Sequence, residues 1–402
     1  MTKNLKMSSF HQEVRDNLTS NILTFWLRLQ DPRGGFYGEV LADGTVQKDA
    51  PRGVILNARL IWAFSAAGRA LQDSALCAAA ARARDWFLAC FMDPDYGGVY
   101  WSVTASGEPL DTKKQLYAQG FAIYALSEYY RYTRDPEALA EAIALYQTVE
   151  HCFADTDNGG YIEALSRDFS PLKDMSLSAH DINADKTMNS HLHLLEAYAN
   201  LYRVWPDKGL KAAVEELLDL VGERIMAPSG HLQLYFRRDW SVLPGGLSYG
   251  HDIETSWLAL ECAEALDDEA LVARVKPWAL RMALAGNEGI LPDGSMRYEQ
   301  LLDGSYDDSR QWWVQAETVV GNLWLWKYHD ELSTLERATA LDRAVACWAY
   351  IRDHLVDTDG GEWWWAILPD SSVDRSQPKA GFWKCPYHNT RMCLQAMELL
   401  GE

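Results

Sequence analysis

The chain is short of the features that mark several large protein classes. Its seven cysteines include no CxxC pair. That excludes a zinc ribbon, and an odd number of thiols inside apolar runs reads as reduced, buried cysteine rather than a disulfide frame. Positive charge is scarce, with 37 Lys and Arg against 57 Asp and Glu and a net charge of −20. A nucleic-acid or anionic-membrane partner needs clustered cations, so neither is expected. No apolar run long enough to cross a bilayer is expected, and the first residues, MTKNLKMSSFHQEV, lack the apolar core of a secretion signal. The combination points to the cytoplasm. There is also no G-x-S-x-G elbow, no glycine-rich phosphate cradle and no Cys/His spacing suited to a metal. Neither a cofactor nor a metal is expected.

What the chain does have is a repeat. An acidic or small turn, a glycine and an alternating run recur as DPRGGFYGEV, DPDYGGVYWSV, DTDNGGYIEAL, APSGHLQLYF, LPDGSMRYEQ and DTDGGEWWWAI. Their marker glycines, 35, 98, 160, 230, 294 and 361, lie 63, 62, 70, 64 and 67 residues apart. Each interval holds two patterns with apolar residues at i, i+3, i+4 and i+7, such as 53–71 and 74–92. With one helix before the first turn (10–29) and one after the last (385–400), the count is twelve. A helix pair cannot bury its apolar surface alone and must stack on neighbours. The last helix stays apolar almost to its end, unlike a polar solenoid cap. The expected fold is therefore all-α, a single (α/α)6 barrel over residues 1–402, with short hairpin-like glycine turns on one side and residues 1–9 disordered. Helices before each turn are amphipathic and read as outer, while those after each turn are apolar nearly all round and read as inner.

In this layout the N-termini of all six inner helices share the glycine-turn side. Polar residues just inside those starts are costly to bury without a reason. They are Arg59, Tyr117, Asn189 with His193, His251 with Glu254, Trp313 with Glu317, and His388. Asn189 and His193 are i,i+4, as are Trp313 and Glu317, and His251 and Glu254 are i,i+3, so each pair shares a face. Asn189 is expected to support His193, and Glu254 to hold the His251 ring. His191 and His193 are two apart and point in nearly opposite directions, so HLH is not a two-histidine metal site. Asp252 reads as a helix-start charge that meets free N–H groups. His251 and His388 are expected to face each other across the mouth.

Trp312, Trp313, Trp363, Trp364, Trp365 and Trp383 fall in or beside the last two turns. Flat rings beside carboxylates and amides suit a sugar, so a small-molecule saccharide is the expected partner. Two histidines that titrate near neutrality suit proton transfer at carbon, and an enediolate would need donors such as Arg59 and Tyr117. Glycoside hydrolysis by Glu254 and Glu317 is the competing class, but it leaves both histidines without a task. A sugar-binding protein without catalysis would leave the whole titratable ring unexplained. Residue spacing does not distinguish monomer from homodimer.

The segments GFYGEV, ILNARLIWAFSAA, MNSHLHLLEAY, GHDIETSWL, WWVQAE and GFWKCPYHNTRM resemble the cellobiose 2-epimerases of the N-acylglucosamine 2-epimerase superfamily. The likeness runs from about residue 10 to the C-terminus. It implies a cofactor-free (α/α)6 barrel that inverts C2 of the reducing-end glucose of β-1,4-linked disaccharides such as cellobiose or lactose. It implies His251 and His388 as the acid/base pair acting through a cis-enediol, with His193 assisting near the ring oxygen or O1 and Glu254 orienting a histidine. Arg59, Tyr117 and Asn189 would hold the sugar oxygens, while Trp313, Glu317 and Trp383 would line the subsites. Mannose 2-epimerase shares these motifs, and aldose-ketose isomerases share the first chemical step.

Overall fold

The computed structural model describes residues 3–178 and 181–401. Twelve helices are found among the described residues. α1 runs Lys3–Asp16, through a π-helical stretch Asn17–Ile22, to Leu23–Leu27. There follow α2 (Val54–Leu71), α3 (Ala75–Cys90), α4 (Leu116–Thr133), α5 (Pro136–Cys152) and α6 (Met188–Tyr202). α7 (Lys208–Leu220), α8 (Tyr249–Glu264), α9 (Glu269–Gly286), α10 (Trp312–Tyr328), α11 (Thr334–Tyr350) and α12 (Tyr387–Leu400) complete the set.

The even-numbered helices form a closed inner ring. α2 packs on α4, α4 on α6, α6 on α8, α8 on α10, α10 on α12, and α12 returns to α2. That last contact excludes an open solenoid. The odd-numbered helices form the outer layer, and their sequences show why. α3 buries only the stripe Leu76, Ala79, Ala80, Ala83 and Phe87, whereas α2 is buried at every position from Val54 to Gly68. α2 also departs from one expectation, because its 18 residues reach a mean hydropathy of 1.2 and are long and apolar enough to cross a membrane. It is 83% buried as a wall of the barrel, which accounts for its composition.

The N-terminal end departs from expectation as well. Residues 1 and 2 lie outside the described residues, but the chain is helical from Lys3 rather than loose to residue 9. Met7 packs against the core and Ser9 donates to Glu13 at 2.8 Å, which extends the helix by a turn beyond its strong apolar pattern. All seven cysteines are unpaired.

Each glycine turn is closed by one antiparallel bridge: Gln30 with Phe36, Met92 with Val99, Ala154 with Tyr161, Met226 with Leu232, Ile290 with Met296 and Val356 with Trp363. The six marker glycines have φ between 57° and 96°, which a side chain would strain. The acids of these turns have a further use. Asp31 pairs with Arg52 (2.6 Å), Asp93 with Lys114 (2.9 Å), Asp155 with Lys186 (2.9 Å), Asp293 with Arg310 (3.2 Å) and Glu362 with Lys384 (2.8 Å). Each cation stands two or three residues before the next inner helix, so every pair pins a turn to the helix start that the site uses.

The fourth turn, APSGHLQLYF, has no acid, and there the polarity reverses. His231 Nδ1 meets Asp252 Oδ2 at 2.6 Å, and Leu232 N–H donates to Asp252 Oδ1 at 2.8 Å. Asp252 is thus the clamp of its turn and not a cap of its own helix, because the turn leaves its partner outside α8.

Lys186 is fully buried and donates to Asp155, Gly159 O (2.7 Å) and Arg238 O (2.8 Å). Lys186→Met leaves the Asp155 carboxylate buried with a diminished partner set. A loss of about 3–5 kcal/mol is expected in urea unfolding. A loss below about 1 kcal/mol would show that the clamps are dispensable.

Candidate active site

The site lies at the N-terminal ends of the inner helices, under the glycine turns. Gly250, directly before His251, permits it locally: a Cβ there would come within 2.8 Å of the Trp313 ring, so glycine lets α10 close on the start of α8. The His251 ring lies 4.7 Å from Trp313 and the His388 ring 5.7 Å from it, between centroids. The two histidines therefore flank Trp313. α10 stands between α8 and α12 in the ring, so His251 and His388 do not face each other across the mouth; the helix opposite His388 is α6, which carries His193.

Each imidazole has one nitrogen engaged. His251 Nδ1 lies 2.7 Å from Ser248 Oγ. His388 Nδ1 lies 2.7 Å from Glu317 Oε1, and His193 Nδ1 lies 3.1 Å from Glu196 Oε2. With Glu317 ionised, His388 carries its hydrogen on Nδ1 and keeps Nε2 as a free base; with that carboxyl protonated the tautomer reverses. Burial lowers the His251 pKa to about 3, with a smaller contribution from His193. Burial also holds His388 well below the usual histidine range, aided by Arg59 and Arg391. Both rings rest neutral at pH 7.

Two expected pairings and one expected role are replaced. Ser248, rather than Glu254, holds His251, because it precedes α8 by one residue and its hydroxyl reaches forward over the first turn. Glu196, rather than Asn189, holds His193, and the Asn189 Oδ1 atom is buried without a partner. Glu317 does not line a sugar subsite. It is fully buried, with Oε1 taken by His388 and Arg391 and Oε2 by Trp257 Nε1 at 3.0 Å. His191 does point away, as expected, with Nδ1 2.7 Å from Thr187 O and Nε2 accepting the Tyr161 N–H at 3.0 Å.

Beneath the histidines lies an unanticipated hub. Arg391, 3% exposed, donates to Glu196 Oε1 (2.6 Å), to Glu317 Oε1 (2.7 Å) and to Glu254 Oε1. Tyr387 donates to Glu196 at 2.6 Å. Burial would raise the Glu196 pKa, but Arg391 and His193 bring it down to about 2. Glu254 goes the other way, raised to about 7 by burial and by the Glu317 charge. One signal could have revealed the hub: His193/Glu196, His251/Glu254 and His388/Arg391 are all i,i+3 pairs, one charge a turn below each histidine.

On the other side of the lumen, Arg59 Nη2 donates to the Tyr117 hydroxyl at 2.8 Å, and the Arg59 Nε atom is buried without a partner. Burial raises the Tyr117 pKa, so it remains a donor. Trp383 sits at the mouth, 6.0 Å from Tyr117 and 5.8 Å from Trp101 between ring centroids.

Glu254, Glu317 and His388 hold ligand-type atoms within 4.8 Å of one another. Arg391 Nη2 already binds both carboxylates there, so the cation of that cluster is a guanidinium. The same closeness disfavours inverting hydrolysis, and Glu317, with both oxygens engaged inside the chain, has none free for either role in a retaining pair. An inverting pair needs roughly 6.5–9.5 Å between carboxyl groups for water and sugar, and these two share one guanidinium beneath a histidine.

A sequence profile described as N-acylglucosamine 2-epimerase (GlcNAc 2-epimerase) matches residues 35–391. The chain belongs to that family. Within the family it is 46% identical to a cellobiose 2-epimerase of Bacteroides fragilis, over 97% of this chain and 98% of that protein. It superposes on the structure of a cellobiose 2-epimerase from Bacillus thermoamylovorans with a TM-score of 0.91 at 39% identity, covering 97% and 99% of the two chains. A D-mannose isomerase of Marinomonas mediterranea is more distant, 21% identical over 92% of each chain. This N-acylglucosamine 2-epimerase family member is a carbohydrate epimerase, and its fold is the (α/α)6 barrel.

Proposed function

We propose that this enzyme epimerises C2 of the reducing-end glucose in β-1,4-linked disaccharides, cellobiose and lactose, through a cis-enediol and without a cofactor. The observation that carries the reading is the pair of neutral histidines flanking Trp313, each with one ring nitrogen tethered and the other left for substrate. On an open-chain aldose one imidazole takes the C2 proton, and the C–H electron pair becomes the C1–C2 double bond. The charge arriving on O1 meets the Arg59 and Tyr117 donors. The second imidazole returns a proton to the opposite face of C2. His388 can exchange a proton at Nε2 while its Nδ1 exchanges one with the carboxyl pair beneath, so its ring stays neutral throughout. His193 and Asn189 stand beside this lumen as hydrogen-bonding partners for sugar oxygens, and Trp313 and Trp383 offer faces to the rings.

Cellobiose incubated in D2O is expected to yield the mannose-ended epimer carrying deuterium at C2 of the reducing residue, read by NMR. Turnover without label, or release of free glucose, would overturn the proton-transfer mechanism. The same spectra test the second reading, which the similarity to a D-mannose isomerase favours: mannose converted to fructose faster than cellobiose is epimerised.

The pH profile follows from the direction of the shifts. The depressed histidine pKa values keep both rings neutral well below pH 6.5. Glu254, raised to about 7, holds its proton below that pH and loses it above. The acid limb of kcat/KM is therefore expected well under pH 6.5, and an alkaline decline is expected near pH 7. An acid limb at the ordinary histidine value would show that the imidazoles are not desolvated.

A further inference from the structure

The end of the barrel away from the glycine turns is not closed. The C-terminal halves of α2, α4, α6, α8 and α12 surround a chamber of about 440 Å³, within the range of small-molecule pockets. The proposed epimerisation places no sugar atom in it, although Glu196 and Arg391, which support His193 and Glu317, belong to its lining. Trp62 and Tyr124 form one wall, stacked with centroids 5.4 Å apart and planes 20° from parallel. Arginines and glutamates alternate around the remainder.

That charge is balanced and mostly paired. Arg69 and Arg131 both donate to Glu128, at 2.9 and 2.8 Å, and Arg131 also donates to Asn200 at 2.7 Å. Arg203 reaches Glu261 at 3.4 Å. An anion would have to displace carboxylates from these guanidiniums, and a cation would have to displace guanidiniums from the carboxylates. A hydroxyl group donates and accepts at once and can join such a wall without breaking a pair. One donor is waiting: Arg391, 3% exposed, lines the chamber, and its Nε is buried without a partner among the described residues. A buried charged donor left unmet costs at least about 1–3 kcal/mol.

We infer that this chamber is a second binding site, for a neutral polyhydroxylated ring of one or two sugar units, with Arg391 as the wall it shares with the catalytic mouth. The ring's apolar face lies on the Trp62–Tyr124 stack and its hydroxyls meet the charged rim and Arg391 Nε. An occupant there touches the same guanidinium that holds Glu317 under His388.

The test does not depend on turnover, because methyl β-D-glucoside is locked at C1 and cannot be epimerised. Met397 lines the chamber nine residues beyond His388 on α12, about 13 Å along the helix. In protein labelled with [methyl-13C]methionine, with Met397 assigned through Met397→Leu, the glucoside is expected to shift the Met397 signal saturably. Ala70→Trp, at an exposed position of the chamber wall, is expected to abolish that shift. Should that variant fold poorly, Glu261→Leu removes an acceptor and is expected to weaken binding about tenfold. No saturable shift, an equal shift in the filled variant, or a shift with inorganic phosphate and none with the glucoside would overturn the inference. Each of these outcomes leaves the D2O result untouched, so the two readings stand or fall separately.

Discussion

Replacing His388 with alanine is expected to lower kcat on cellobiose by about 10²–10⁴-fold, the usual worth of a positioned acid or base. The helical circular-dichroism signal should stay intact, because His388 lies at the first turn of α12 and its one strong bond is to Glu317. His251→Ala is expected to do the same, since its ring contacts Ser248 and Trp313 and clamps no turn to a helix. Glu317→Gln separates positioning from chemistry. The amide keeps the shape but cannot hold or pass the proton, so kcat should fall while KM changes little, and the pH profile should flatten. Turnover within tenfold of the parent in either alanine variant would remove that histidine from the acid/base pair.

The second large effect is expected at Arg391. Its guanidinium binds Glu196, Glu254 and Glu317 together. Arg391→Met strands three buried carboxylates, and a loss of about 3–5 kcal/mol is expected in denaturant unfolding, together with loss of turnover. The sign of the pH dependence follows. Glu196 is held at about 2 by Arg391 against burial that would raise it. Without the cation its folded pKa rises above the unfolded value, so the folded state takes up protons and the variant loses stability as pH increases. The deficit should therefore be smaller at pH 5 than at pH 8. Arg391→Met combined with Glu254→Gln should recover part of the loss, as expected when two sites share one network. A deficit independent of pH, with additive effects in the double variant, would mean that Arg391 contributes packing rather than charge.

Both predictions rest on a network that residue types hint at but do not specify. Helical spacing is a local property, so it placed His193, His251 and His388 near the starts of inner helices and turned His191 outward. The choice of hydrogen-bond partner is not local. Glu254 sits one turn from His251 yet binds Arg391, a residue 137 positions away, because the closed ring brings α8 and α12 to either side of α10. Glu317, likewise, is a plausible sugar ligand by spacing and becomes a support for His388 once its oxygens are counted. Asp252 looks like a cap until the fourth turn, lacking an acid, supplies His231.

The amino-acid order is enough to specify the barrel: the sixfold repeat of glycine turns sets the number of units, and all-round apolar helices alternating with amphipathic ones set the layers. It also determined which residue types reach the mouth, since these depend on position within each repeat. Contacts between repeats settle which carboxylate serves which histidine, that one arginine joins three of them, and that a chamber remains at the far end. Those are matters of distance between repeats, fixed when α12 closes on α2, and no periodicity within a repeat encodes them.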